Sequence, residues 1–168
     1  MRRAALLFSL LATVPLIGAA EPIAHVTRHG RRAELPAQHP NAKDPSLSES
    51  GRAAVERLDA LLAQVPLNAI YVTEYRRTQE TAASLAKRNG IVPIIVPARD
   101  HDALMKRLAM HGPDEHVLVV GHSNTVPAIL KSLGVKAAVS LAETDYDDLF
   151  IAVPAAPPAA VVMIRLRY

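Results

Sequence analysis

The run EHVLVVG, residues 115–121, limits the fold more than any other stretch. Its side chains are apolar on both faces of an extended chain, so it reads as a strand covered on both sides. Other segments supply the cover. PIAHVT (22–27), NAIYVT (68–73) and IVPIIVP (91–97) read as further strands, the last at or near a sheet edge because of its proline. Between them lie segments of helical period. In the first, 46–66, Val55, Leu58, Leu61, Leu62 and Val65 share a face, Ser48 or Ser50 can cap the start, and Pro66 ends it. The second, 74–90, places Thr78, Ala82, Leu85 and Ala86 together and stops at Gly90. Residues 100–112 and 124–134 read as two more helices, with Pro127 tolerable only in a first turn. DLFIAVP and AAVVMIRLRY read as two closing strands joined by the turn AAPP. This order predicts a three-layer α/β/α sandwich whose central sheet is mixed, mostly parallel, and antiparallel at its end.

Residues 1–20 stand apart. A basic start, Arg2-Arg3, leads into an apolar run and then Gly18-Ala19-Ala20. This is the layout of a signal peptide, with cleavage expected after Ala20 and the domain spanning 21–168. The run is shorter than the ~18 apolar residues of a membrane span, so none is expected after cleavage; an uncleaved anchor is the alternative. A periplasmic or secreted location is the expectation. The formal net charge of +3 drops to +1 without residues 1–20, which carry two arginines and no acid. No basic run points to nucleic acid. With no cysteine, disulfides and thiol chemistry are excluded. No histidine spacing suggests a metal, and His25, His39, His101, His111 and His116 read as packed or loop residues. No feature sets an oligomeric state.

Ligands in such sheets bind beyond the carboxyl ends of the strands. There the first strand carries Thr27-Arg28-His29-Gly30, the second leads to Arg76 and Arg77, and the 115–121 strand ends in Gly121-His122-Ser123-Asn124. Two imidazoles, several guanidiniums and two helix N-termini converge on one rim, a setting suited to a phosphate dianion. Histidine there can act as a nucleophile or as a hydrogen-bond donor. Gly30 and Gly121 allow close backbone approach or a positive φ.

The blocks VTRHG, DPSLSESGRAAVERL, AIYVTEYRRTQETAASLA and VLVVGHSNTVPAILKSLG, with DYDDLFIAV after them, resemble the histidine phosphatase superfamily, whose fold is that of phosphoglycerate mutase. The resemblance spans Ile23 to the last strand. It implies that His29 becomes phosphorylated, that Arg28 and Arg77 grip the phosphoryl oxygens, and that His122 completes the pocket. Gly30, Arg32, Ser123 and Asn124 would contact substrate, with no cofactor and no metal. The general acid stays open. Asp102 is the first candidate, with Asp100, Glu34 and Glu74 behind it, and absence of an acid is the alternative. Glu34 stands where the phytase-like branch has proline, and Ser123 where that branch has aspartate, so a phytase-like enzyme is not expected. The expected activity is an exported, metal-independent phosphomonoesterase acting on a small phosphorylated substrate such as an envelope phospho-sugar. The competing readings are a non-catalytic phosphate-binding module, a phosphohistidine phosphatase and, more remotely, a mutase.

Overall fold

A computed structural model describes residues 21–155 and 161–168. The expected signal peptide lies outside the described residues, as does most of the AAPP turn. The elements run β1 (Ile23–Arg28), α1 (Glu49–Leu61), β2 (Leu67–Val72), α2 (Arg76–Asn89), β3 (Ile94–Ile95), α3 (His101–Leu108), β4 (His116–Gly121), α4 (Thr125–Ser132), β5 (Asp148–Val153) and β6 (Val162–Arg167). They form one six-stranded sheet in the order β3-β2-β4-β1-β5-β6. β3, β2, β4 and β1 are parallel, while β5 and β6 run antiparallel. The predicted mixed sheet is therefore observed.

β4 sits between β2 and β1, with Val117 to Gly121 all buried. Its side chains feed two cores. Val117 and Val119 face α3 and α4, packing with Leu104, Leu108, Val126, Ile129 and Leu130. Leu118 and Val120 face α1 and α2, packing with Leu58, Leu62, Leu85 and Ala86. A strand apolar on both faces is what this two-sided burial requires. Fully burying each such side chain contributes roughly 1.5–3 kcal/mol, so the sheet centre anchors the strand ends beyond it.

The helix starts are tied by side chains. Ser48 caps α1, its Oγ accepting from the Gly51 N–H at 3.0 Å. Gly90, at φ 65°, closes α2 in the left-handed conformation, as its position predicts. α2 has no cap from its own flank; Asp44, from the loop before α1, accepts from the Arg76 N–H at 3.1 Å. β3 is shorter than the 91–97 run suggests. Pro93 and Pro97 flank Ile94–Ile95 and cannot donate to a ladder, so pairing is confined between them. His25 is packed, but its Nε2 meets His116 Nδ1 at 3.0 Å, not the backbone.

Candidate active site

β1, β4 and the β2–α2 junction deliver His29, His122 and Arg77 to one place. The His29 N–H donates to the Gly121 carbonyl at 3.0 Å, extending the β1–β4 pairing past the strand end. The Gly30 N–H donates to Thr81 Oγ1 at 2.9 Å, and that hydroxyl donates to the Arg77 carbonyl at 2.6 Å. The RHG loop is thus clamped to both β4 and α2. Neither Gly30 nor Gly121 has a positive φ. Close approach is what each provides. A Cβ on Gly30 would meet the Gly51 carbonyl oxygen at 3.1 Å, and one on Gly121 would meet Thr125 Oγ1 at 2.7 Å. That hydroxyl accepts from the His122 N–H.

His29 is 4 % exposed. Its Nδ1 lies 2.7 Å from the Gly30 carbonyl oxygen, so Nδ1 carries the proton and Nε2 the lone pair. Arg77 Nε donates to that Nε2 at 3.1 Å. Burial lowers the His29 pKa to about 3; the Gly30 carbonyl opposes this, and Arg77, His122 and Arg28 add to it. At neutral pH the ring is uncharged, with its Nε2 lone pair held by Arg77.

The His122 tautomer follows from a chain of hydroxyls. Thr78 Oγ1 donates to the Tyr75 carbonyl at 2.7 Å, so it accepts from Thr73 Oγ1 at 3.0 Å. Thr73 Oγ1 in turn accepts from His122 Nε2–H at 3.0 Å. His122 Nδ1 therefore faces Arg77 Nη2, at 3.4 Å, with a lone pair. Burial, then Arg77, lowers its pKa to about 4, with Glu74 opposing. A dianion between the two histidines would cancel the arginine charges and draw a proton onto Nδ1, making it a donor to a phosphoryl oxygen.

Arg28 is buried within the loop before β5. Its Nη1 donates to the carbonyls of Ala142, Glu143 and Asp145 at 2.9, 3.2 and 3.1 Å, and its guanidinium stacks on Tyr146 at 3.9 Å. Its Nη2 pairs with the Glu143 carboxylate at 3.2 Å. The surrounding cavity measures about 520 Å³ and is strongly basic. Among the described residues, Arg28, Arg32, Lys43, Arg77 and Arg99 line it, against one carboxylate, Glu143.

The structure brings together His29, Arg28, Arg77, His122, Arg32, Ser123 and Asn124, all on the cavity wall. It does not bring the other candidates. Gly30 is off the wall, and its N–H is already bonded to Thr81; it is a packing glycine rather than a substrate contact. Asp102 is exposed on the first turn of α3 and does not line the cavity. Asp100 caps α3 through the Ala103 N–H, beside a separate apolar cavity of about 140 Å³. Glu34 is exposed and off the wall, and Glu74 accepts from the Ala98 N–H. The sequence reading missed Lys43, Arg99, Glu143, Tyr146 and Tyr75. Arg77 stacks on the Tyr75 ring at 4.2 Å.

The family model of the histidine phosphatase superfamily, branch 1, matches residues 24–100, a span that carries His29, Arg28 and Arg77. Over those residues the chain is similar to the histidine phosphatase superfamily. Solved structures share the fold of this chain. One, from Agrobacterium tumefaciens, is assigned as the phosphohistidine phosphatase SixA; it is 18 % identical at a TM-score of 0.63, over 84 % of this chain and 96 % of that one. A mycobacterial glucosyl-3-phosphoglycerate phosphatase in complex with VO3 is 15 % identical at 0.59, over 86 % and 97 %. A protein from Nakamurella multipartitia, also assigned as SixA, is 19 % identical at 0.57, over 89 % and 98 %. No curated protein sequence matches this chain.

Proposed function

We propose that this chain is an exported, metal-independent phosphomonoesterase that works through a phosphohistidine on His29 and hydrolyses a small phosphorylated substrate, such as an envelope phospho-sugar. One observation carries the reading: an uncharged His29 whose Nε2 is held by Arg77 within a basic cavity, with His122 on the other side of the same arginine. In the first step Nε2 attacks phosphorus, the P–O ester bond breaks, and the alcohol leaves with a proton. In the second, water attacks phosphorus, the P–N bond breaks, and phosphate leaves. Arg28, Arg77 and protonated His122 offset the charge on the equatorial oxygens, so positioning and electrostatics do most of the work. Export rests on the layout of residues 1–20.

The test uses residues 21–168, ³²P-labelled aryl phosphate and rapid quenching. Acid-labile, alkali-stable label should appear on the protein and be absent from His29→Ala, which should also lose turnover. Label or turnover retained in His29→Ala refutes the assignment. A folded protein that binds vanadate but neither labels nor releases phosphate is a binding module.

A further inference from the structure

An alkyl phosphate needs a proton for its leaving oxygen, and none of the carboxylates suggested by sequence reaches the cavity. Among the described residues, the single carboxylate on its wall is Glu143. Its side chain is 88 % exposed, yet it is held at two points. Oε2 accepts from Arg28 Nη2 at 3.2 Å and Oε1 from Ser123 Oγ at 3.4 Å. Arg28 ends β1 and Ser123 follows β4, so the carboxylate spans the gap between these two strand ends. His29 and His122 stand at the same ends, their rings 5.2 Å apart. Arg28 spends Nη1 on three backbone carbonyls and Nη2 on Glu143, while its Nε is buried without a partner among the described residues.

We propose that Glu143 is the general acid and base of the reaction, held on Arg28 in the free enzyme and released from it when the substrate's phosphoryl group takes over that guanidinium. The proposal rests on the phosphatase reading above. The carboxyl contacts Arg28 from β1 and Ser123 from the β4–α4 turn; His122, Arg32 and Lys43 line the same cavity, and Asp145 and Tyr146 lie on the loop that carries Glu143. A phosphoryl dianion that takes over the Arg28 fork frees the carboxyl to reach the leaving oxygen. As Nε2 of His29 bonds to phosphorus and the P–O bond breaks, the Glu143 proton passes to the departing alkoxide. The carboxylate then takes a proton from the water that attacks the phosphohistidine, which regenerates the carboxyl as phosphate leaves.

The experiment compares Glu143→Gln with the unaltered enzyme on glycerol phosphate and on p-nitrophenyl phosphate, whose leaving group needs little protonation. General acid catalysis is worth roughly 10²–10⁴-fold, so the alkyl-to-aryl ratio of kcat/KM should fall at least about 30-fold, with the inhibition constant of vanadate within about threefold. Parallel loss on both esters, or no loss on either, overturns the proposal. A large rise in the vanadate constant with an unchanged ratio overturns it too, because Glu143 would then only be positioning Arg28. Absence of label on His29 in the unaltered enzyme fails the phosphatase reading itself, whereas label that persists in Glu143→Gln with an unchanged ratio fails Glu143 alone.

Discussion

Replacing Gly51 by alanine tests the coupling between α1 and the catalytic loop. Gly51 is the third residue of α1, where alanine is ordinarily better by about 1 kcal/mol. Here a Cβ would lie 2.1 Å from the Arg31 carbonyl oxygen and 3.0 Å from the Arg31 carbonyl carbon and amide nitrogen. All three are backbone atoms, so no side chain can swing aside, and relief requires a shift of about 1 Å to reach ordinary contact. The same oxygen accepts from the Ser48 N–H at 2.9 Å and Ser48 Oγ at 3.2 Å, the bonds that dock the start of α1. Overpacking costs about 1–3 kcal/mol and each weakened hydrogen bond about 0.5–1.5. Against a helix-propensity gain of about 1, Gly51→Ala should destabilise by about 2–3 kcal/mol, or on the order of 5–10 °C in Tm. Arg31 is two residues from His29, and a displacement of about 1 Å at a reacting group can cost 10²-fold in rate. Urea unfolding and kcat/KM on p-nitrophenyl phosphate measure the two effects. A variant as stable as the parent, with unaltered turnover, would refute the steric argument.

Acid should destabilise the fold. His25, His29 and His122 have folded pKa values lowered by burial to about 4, 3 and 4, against 6.5 unfolded. The unfolded chain binds these protons first, so stability is full above pH 6.5 and is lost as pH falls from there towards 4. A urea midpoint unchanged between pH 7 and 4.5 would contradict this. Asp102→Asn should leave the alkyl-to-aryl rate ratio unchanged, because Asp102 does not line the cavity; a selective loss on alkyl esters would return it to candidacy.

The layered sheet was legible because β4 is apolar on both faces, and the capping positions Ser48 and Gly90 carry local signals. β3 was over-extended because isoleucine and valine dominate 91–97, while Pro93 and Pro97 bracket three residues, of which Ile94 and Ile95 pair with β2. His29, Arg28, Arg77 and His122 were legible as strand-end residues in a recognisable order. Glu143 and Tyr146 were not, since residues 136–147 have no periodicity and act through a fold contact, the stacking and bonding of Arg28. Lys43 and Arg99 lie in proline-bearing loops whose path depends on tertiary contacts. Nor does a sequence display backbone carbonyls, which fix both the His29 tautomer and the Arg28 fork.

The position of β1 in the sheet has a consequence for the order of assembly. β1 starts at residue 23, yet its neighbours are β4 and β5; Ala24 pairs with Val117 and with Ala152. Such distant pairings are slow to form, because a long loop must close before any contact repays it. His29 is thus among the earliest described residues to be synthesised and among the last to acquire its surroundings. A nascent chain ending before residue 148 has no β5 against β1, and Arg28 lacks the carbonyl of Asp145 that helps hold its fork. On the function proposed above, phosphoryl chemistry would start only when the distal strands dock, which separates the timing of synthesis from the onset of activity.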